Sequence, residues 1–244
     1  MHPSPSPNQE PRPTGAEIDI LLLHYTGMRN RDEALARLRD PAAKVSAHYL
    51  IDEDGAAYIL VEEEARAWHA GVSHWAGDSD INSRSIGIEL VNPGHEFGYR
   101  PFPEAQIVAL TALCQDILAR HRIPPGRVLG HSDVAPARKQ DPGELFPWEG
   151  LARSGIGLWP GEPDFDPDAP TFEPGANDPE IAAFQDALVR YGYGLTASGR
   201  LDEESVYVLR AFQRHFRPAR IDGRIDPQSR AILHALLALP AQAD

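Results

Sequence analysis

Residues 18–24 read Ile18-Asp19-Ile20-Leu21-Leu22-Leu23-His24. The run is nearly continuous in apolar residues, as a buried strand would be. It breaks off at a histidine that enters the loop Tyr25-Thr26-Gly27. Just beyond it, Arg31 to Arg39 predicts a helix with Ala34, Leu35 and Leu38 on one side. His48 to Ile51 and Ala57 to Val61 flank Asp52-Glu53-Asp54-Gly55, the pattern of a hairpin. Ser85 to Val91 alternates and then turns apolar. Glu104 to Arg120 carries Ile107, Leu110, Cys114, Ile117 and Leu118 at helical spacing. Val128-Leu129-Gly130 is a short strand that runs into His131. Strands and helices mix along the chain, so the expected fold is α/β, a central mixed β-sheet flanked by helices. A small three-helix C-terminal domain follows it.

The division rests on prolines and acids. Residues 160–180 hold six prolines and seven acids with no base. Proline cannot donate to a ladder, and like charges repel, so an extended linker is expected there. The alternative is an ordered strap packed along the first domain through Phe165 and Phe172. Residues 1–16 are also proline-rich and are expected to be flexible. That leaves 17–159 as the α/β domain and 181–240 as the helical one, two halves expected to be separable. The helical part echoes itself: Gly199-Arg200-Leu201-Asp202 returns as Gly223-Arg224-Ile225-Asp226. Each Asp is placed to cap a helix, and Pro227 takes a first helical position.

Composition excludes several classes. The 244 residues carry 23 bases and 36 acids, a net charge of −13, a poor profile for a protein that wraps nucleic acid. One cysteine, Cys114, excludes an intrachain disulfide framework and multi-cysteine zinc modules. No stretch approaches the roughly 18 apolar residues of a membrane span, and no secretory signal is visible.

Any metal must therefore be held by histidines and carboxylates. His24 and His131 each end a β-like run and enter a loop containing or following glycine, the place where ligands gather in α/β folds. Asp141 lies ten residues beyond His131. Two imidazoles and one carboxylate suit Zn²⁺ and leave its fourth position open. Asp133 is a rival carboxylate, equally suited to capping the loop after His131, and Asp141 could merely start a turn before Pro142-Gly143.

The segments LLLHYTG (21–27), VSAHYLIDEDG (45–55), AWHAGVSHW (67–75), NSRSIGIELVN (82–92) and GHSDVAPARKQDPG (130–143) run in one order along the chain. In that order the chain resembles the zinc-dependent N-acetylmuramoyl-L-alanine amidases of the type 2 amidase family, relatives of the peptidoglycan recognition proteins. Ala183-Phe184-Gln185, Ala211-Phe212-Gln213 and Asp222-Gly223-Arg224-Ile225-Asp226 resemble the three-helix peptidoglycan-binding module. The resemblance implies metal ligands at His24, His131 and Asp141, an acid/base at Glu89 and a catalytic lysine at Lys139, one of two lysines in the chain. It places His48, Trp68, His69 and Asn92 in motif segments as candidate substrate contacts. A tyrosine that some relatives carry falls on Ala47 here, so Glu89 is expected to handle protons alone.

The implied activity is hydrolysis of the amide joining N-acetylmuramic acid, or its 1,6-anhydro form, to L-alanine. The implied cofactor is Zn²⁺, and the partners are peptidoglycan fragments or polymer, with no nucleic acid and no membrane span. A monomer is expected. The rival functions are a peptidoglycan receptor that binds without cutting, and a wall-anchoring protein defined by its terminal module. The absence of a visible signal and the lone cysteine favour a bacterial cytoplasmic location. A removed export signal would make it periplasmic.

Overall fold

A computed structural model describes residues 1–239; the expected domain end at residue 240 lies outside the described residues. The strands are β1 (His2–Pro3), β2 (Gln9–Pro11), β3 (Ile20–Tyr25), β4 (Tyr49–Ile51), β5 (Ala57–Ile59), β6 (Ala65–Ala67), β7 (Ser85–Leu90) and β8 (Val128–Gly130). The α-helices are α1 (Arg31–Arg39), α2 (Ile81–Arg84), α3 (Gly94–Phe97), α4 (Glu104–Arg120), α5 (His131–Val134) and α6 (Trp148–Arg153), then α7 (Pro179–Tyr191), α8 (Glu203–Phe216) and α9 (Pro227–Ala238). Six strands form one mixed sheet in the order β1-β5-β4-β7-β3-β8, with β4, β7, β3 and β8 parallel and β4–β5 an antiparallel hairpin. The α/β class and the helical C-terminal region agree with the sequence reading. Among the described residues, no helix is long and apolar enough to cross a membrane.

Strand alternation explains how the central strands serve two faces. Leu21 and Leu23 of β3 join Ile86, Ile88 and Leu90 of β7 in a core with Leu110, Leu113, Cys114 and Ile117 of α4. Cys114 is accordingly a buried apolar residue, and burial pushes its thiol above the usual range. Ile20 and Leu22 face the other way. They belong to a second core with Leu129, Ile81 and Trp75 that also contains Leu188, Tyr193, Phe212 and Phe216 of the C-terminal unit.

That shared core changes the expected organisation. The two halves are not separate globules. Trp75 meets Tyr193 edge to face at 5.0 Å, and Trp148 stacks on His215 at 3.7 Å. Gly192 lies so close to Trp75 that a Cβ there would come within 2.5 Å of the indole. Residues 160–180 are correspondingly no free tether. Trp159 packs against both cores, and Phe172 exchanges backbone hydrogen bonds with Ile225 at 3.0 and 3.2 Å. The strap therefore packs on the C-terminal unit, through Phe172 and not through Phe165, which is 45% exposed. Ending the chain at residue 159 uncovers Trp75 and Trp148. We expect its thermal midpoint to fall, since each large apolar side chain exposed costs roughly 1.5–3 kcal/mol. Calorimetry on the shortened and full chains checks this, and equal midpoints would contradict the shared core.

The beginning of the chain also departs from expectation. Instead of fraying, β1 adds a parallel edge strand to β5, and β2 pairs antiparallel with β6. Ser4, Ser6 and Asn8 are buried between them. The anchor is Arg12, whose guanidinium donates to the carbonyls of Glu63, Asn82, Ser83 and Ser85 at 2.9–3.1 Å. Proline content signalled the lack of helix; a single arginine supplying four charge-assisted hydrogen bonds outweighs it.

In the C-terminal unit the repeated Asp202 and Asp226 accept from the Ser205 and Ser229 amides, capping α8 and α9. The Gln of each Ala-Phe-Gln piece completes the echo. Gln185 accepts from the Gly199 amide and donates to the Arg200 carbonyl; Gln213 does the same with Gly223 and Arg224. Each buried glutamine thus ties one helix to the loop that starts another.

Candidate metal centre and cleft

The parallel strands β3, β7 and β8 end together, and their register sets the site. His24 lies beside Glu89 across the β3–β7 pair, on the face away from α4, and His131 follows β8 directly. Asp141 is brought back to them because the Ser132 amide donates to its carbonyl at 2.9 Å. The result is a triangle. His24 Nδ1, His131 Nδ1 and Asp141 Oδ2 lie 3.0 Å from one another, and all three residues are buried.

The opposite ring nitrogens are held. His131 Nε2 donates to the Ala70 carbonyl at 3.0 Å, and His24 Nε2 donates to His69 Nδ1 at 3.1 Å. These bonds leave both Nδ1 lone pairs pointing inward, the arrangement by which a protein orients metal-ligating imidazoles. Burial, with His131 adding to it, pushes His24 down to about 4, so its ring is neutral and able to coordinate. In the metal-free site burial pushes the Asp141 carboxyl upward, and a proton on either facing imidazole nitrogen draws it well below its usual range. An ionised carboxylate and inward lone pairs form a donor set that fits a divalent cation.

The triangle opens into a cleft of about 460 Å³, lined among others by Tyr25, Met28, Arg37, His69, Glu89 and Lys139. Glu89 is 8% exposed, and its Oε2 is buried with no hydrogen-bond partner among the described residues. Burial, and then the charge of Asp141, push its carboxyl well above the usual range, against the pull of Lys139. Lys139 sits on the turn after α5, where its amide donates to the Ala135 carbonyl. Its neighbour Arg138 is fixed on the Ala70 and Val72 carbonyls, which holds that turn against the cleft wall.

The four expected substrate contacts separate. His69 lines the cleft but is 5% exposed and turned to His24, so it orients a ligand more than it meets substrate. Gly87 makes room for it, since a Cβ there would come 2.6 Å from the His69 ring. His48 is fully buried beneath the sheet: its Nδ1 accepts from the Gly87 amide, and its Nε2 faces the Ala65 carbonyl and Arg12. Asn92 is likewise buried, holding the Gly94 amide and the Arg100 carbonyl. Trp68 is half-buried, and it is absent from the residues lining the cleft. Motif membership marked these three for the cleft; the polar side-chain atoms of His48 and Asn92 instead satisfy buried backbone, and the Trp68 Nε1 has no partner among the described residues. Asp133, the rival carboxylate, accepts from the Gly130 amide at 2.8 Å and caps α5.

Sequence reasoning missed the supporting residues. Asn82 accepts from the His69 and Ala70 amides at 3.0 and 2.8 Å and so fixes the segment that orients both ligand histidines. Tyr25 donates to His95 Nδ1 at 2.9 Å at the cleft rim, and His95 in turn faces Glu144. The only available signal for Tyr25 was its place beside His24.

Comparison with known proteins agrees with this geometry. A family model described as N-acetylmuramoyl-L-alanine amidase matches residues 14–144. A second, described as "Putative peptidoglycan binding domain", matches residues 177–233. The chain is 41% identical over 236 residues to the N-acetylmuramoyl-L-alanine amidase AmiD of Escherichia coli (strain K12), covering 90% of this chain and 82% of that protein. It is 34% identical over 162 residues to the 1,6-anhydro-N-acetylmuramyl-L-alanine amidase AmpD of Haemophilus influenzae, covering 59% of this chain and 86% of that protein. A solved structure of E. coli AmiD, in complex with anhydro-N-acetylmuramic acid-L-Ala-D-gamma-Glu-L-Lys, superposes with a TM-score of 0.78. That match is 38% identical and covers 95% of this chain and 93% of the other.

Proposed function

The chain belongs to the N-acetylmuramoyl-L-alanine amidase family, and from that premise we propose how its own residues divide the work. The protein hydrolyses the amide between N-acetylmuramic acid, or its 1,6-anhydro form, and L-alanine, in peptidoglycan turnover and recycling. One observation carries the residue assignment: a 3.0 Å triangle of two imidazole nitrogens and a carboxylate oxygen, set beside a buried carboxyl with an unpaired oxygen.

His24, His131 and Asp141 hold the metal, and the donor set suits Zn²⁺ with one position left for water or substrate. When bound, zinc polarises the amide carbonyl and lowers the pKa of water toward about 7. Glu89 accepts the proton of the attacking water and returns it to the leaving amine nitrogen. Its upward shift brings a carboxyl nearer the pH at which it must both take and give. The Lys139 ammonium steadies the negative charge that develops on the carbonyl oxygen. His69 and the Ala70 carbonyl keep the two ligand rings from turning. The C-terminal unit holds peptidoglycan near the cleft. A receptor that only binds would have no use for a complete ligand set beside a carboxyl and a lysine.

Metal analysis and mass spectrometry on a defined anhydromuropeptide test this together. We expect one zinc per chain and release of a peptide with a free L-alanine amine. Chelation should stop turnover and added zinc should restore it. An intact muropeptide after incubation with zinc-loaded protein would refute the assignment.

A further inference from the structure

The short helix α5 carries His131 at its first position and, through the Ser132 amide, the backbone of Asp141. Four residues cannot sustain a helix by themselves. What holds this one is Asp133, whose carboxylate is 1% exposed. It takes three hydrogen bonds, and only one is local: Gly130 N–H to Oδ2 at 2.8 Å. The other two come from the C-terminal unit. Tyr193 donates its hydroxyl to Oδ1 at 2.6 Å, and His215 donates Nδ1–H to Oδ2 at 2.7 Å.

Both donors are themselves fixed. The His215 ring is stacked on Trp148 at 3.7 Å and on Phe216 at 3.9 Å. Its Nε2 is buried with no partner among the described residues, while Nδ1 faces Asp133 and donates to it. Tyr193 is 1% exposed and braced edge to face by Trp75.

We propose that Tyr193 and His215 are positioning residues for the metal centre: they clamp Asp133, and through it they hold the turn that presents His131 and Asp141. The C-terminal unit is on this account part of the amidase site as well as a module for binding wall material. The inference rests on the ligand assignment above. It adds a cause for the geometry that lies outside the catalytic half. Removing one donor leaves a buried carboxylate short of a hydrogen bond; partners that bond a ligand directly govern metal affinity by about 10–100-fold, which bounds from above the effect of donors acting one residue further out.

The test uses the full chain with Tyr193→Phe, His215→Leu and His215→Asn, and His131→Ala as control. Zinc affinity is measured by chelator competition, and amide exchange at Gly130 and Ser132 is followed in the metal-free proteins. Tyr193→Phe and His215→Leu should each bind zinc more weakly, by up to about 10-fold, and exchange faster at those two amides. His215→Asn, whose amide nitrogen can take the place of Nδ1, should recover most of the affinity. A purely structural role would lower the denaturation midpoint and leave the zinc affinity of the folded protein unchanged. Wild-type zinc affinity together with wild-type exchange in Tyr193→Phe and His215→Leu overturns the proposal. If His131→Ala binds zinc as the wild type does, the ligand assignment fails instead, and the exchange rates alone decide whether the clamp exists.

Discussion

Glu89→Gln keeps its zinc and loses two to four orders of magnitude in kcat, roughly the span for removal of a general base. The amide has nearly the shape of the carboxyl, so the floor of the cleft and the triangle beside it are undisturbed. It cannot take a proton, so the water is no longer activated and the leaving amine is no longer protonated. Substrate affinity should change little, because the group acts chiefly in the transition state. Stability moves the other way. Burial raises the Glu89 carboxyl well above its ordinary value of 4.5, so the fold favours the protonated form. Stability from that group is complete below the unfolded value and is lost as pH rises toward the folded one. The metal-free glutamine variant should therefore melt higher than wild type at pH 7, with the gap closing below about pH 4.5. Stopped assays with metal analysis, and melting curves at the two pH values, check both halves. Near-normal kcat would send the search for a base to Tyr25 or His69.

Lys139→Ala should lower kcat by about 10²–10³, as when other oxyanion donors are lost, again with zinc retained. The turn that carries it is secured by the Ala135 carbonyl and by Arg138 on the Ala70 and Val72 carbonyls, so the alanine variant should fold normally. Lys139→Arg should rescue poorly, since a planar fork cannot replace a compact point donor at the same spot. The double variant with Glu89→Gln should fall short of additive, because both groups serve one step. Steady-state kinetics on the four proteins settles this, and full additivity would place the two residues in separate steps.

Much of this was legible because it is local. The run from Ile18 to Leu23 reads as a buried strand, and Glu104 to Arg120 shows its apolar stripe plainly; the strand forms two residues later, over Ile20–Tyr25, and the helix over Glu104–Arg120. The approach of His24, Glu89, His131 and Asp141 followed from strand ends and from motif order. What could not be read was long-range pairing. Nothing local says that Asn82 holds the amides of His69 and Ala70, or that a proline-rich opening is pinned by Arg12. The acidic, proline-rich stretch signals an absence of helix. It carries no information on whether Phe172 finds Ile225, which depends on a loop segment 53 residues away. His48 and Asn92 show the reverse error: a polar residue in a functional motif can be spent on burying backbone.

The four carbonyls around Arg12 also make a load path. Tension applied along residues 2–11 meets the β1 and β2 pairings, and then a guanidinium gripped from residues 63, 82, 83 and 85 at once. Two of those carbonyls belong to Asn82 and its neighbour Ser83, and the Asn82 side chain holds the amides of His69 and Ala70. Traction on this end of the molecule is therefore carried to the residues that set the angle of both ligand imidazoles.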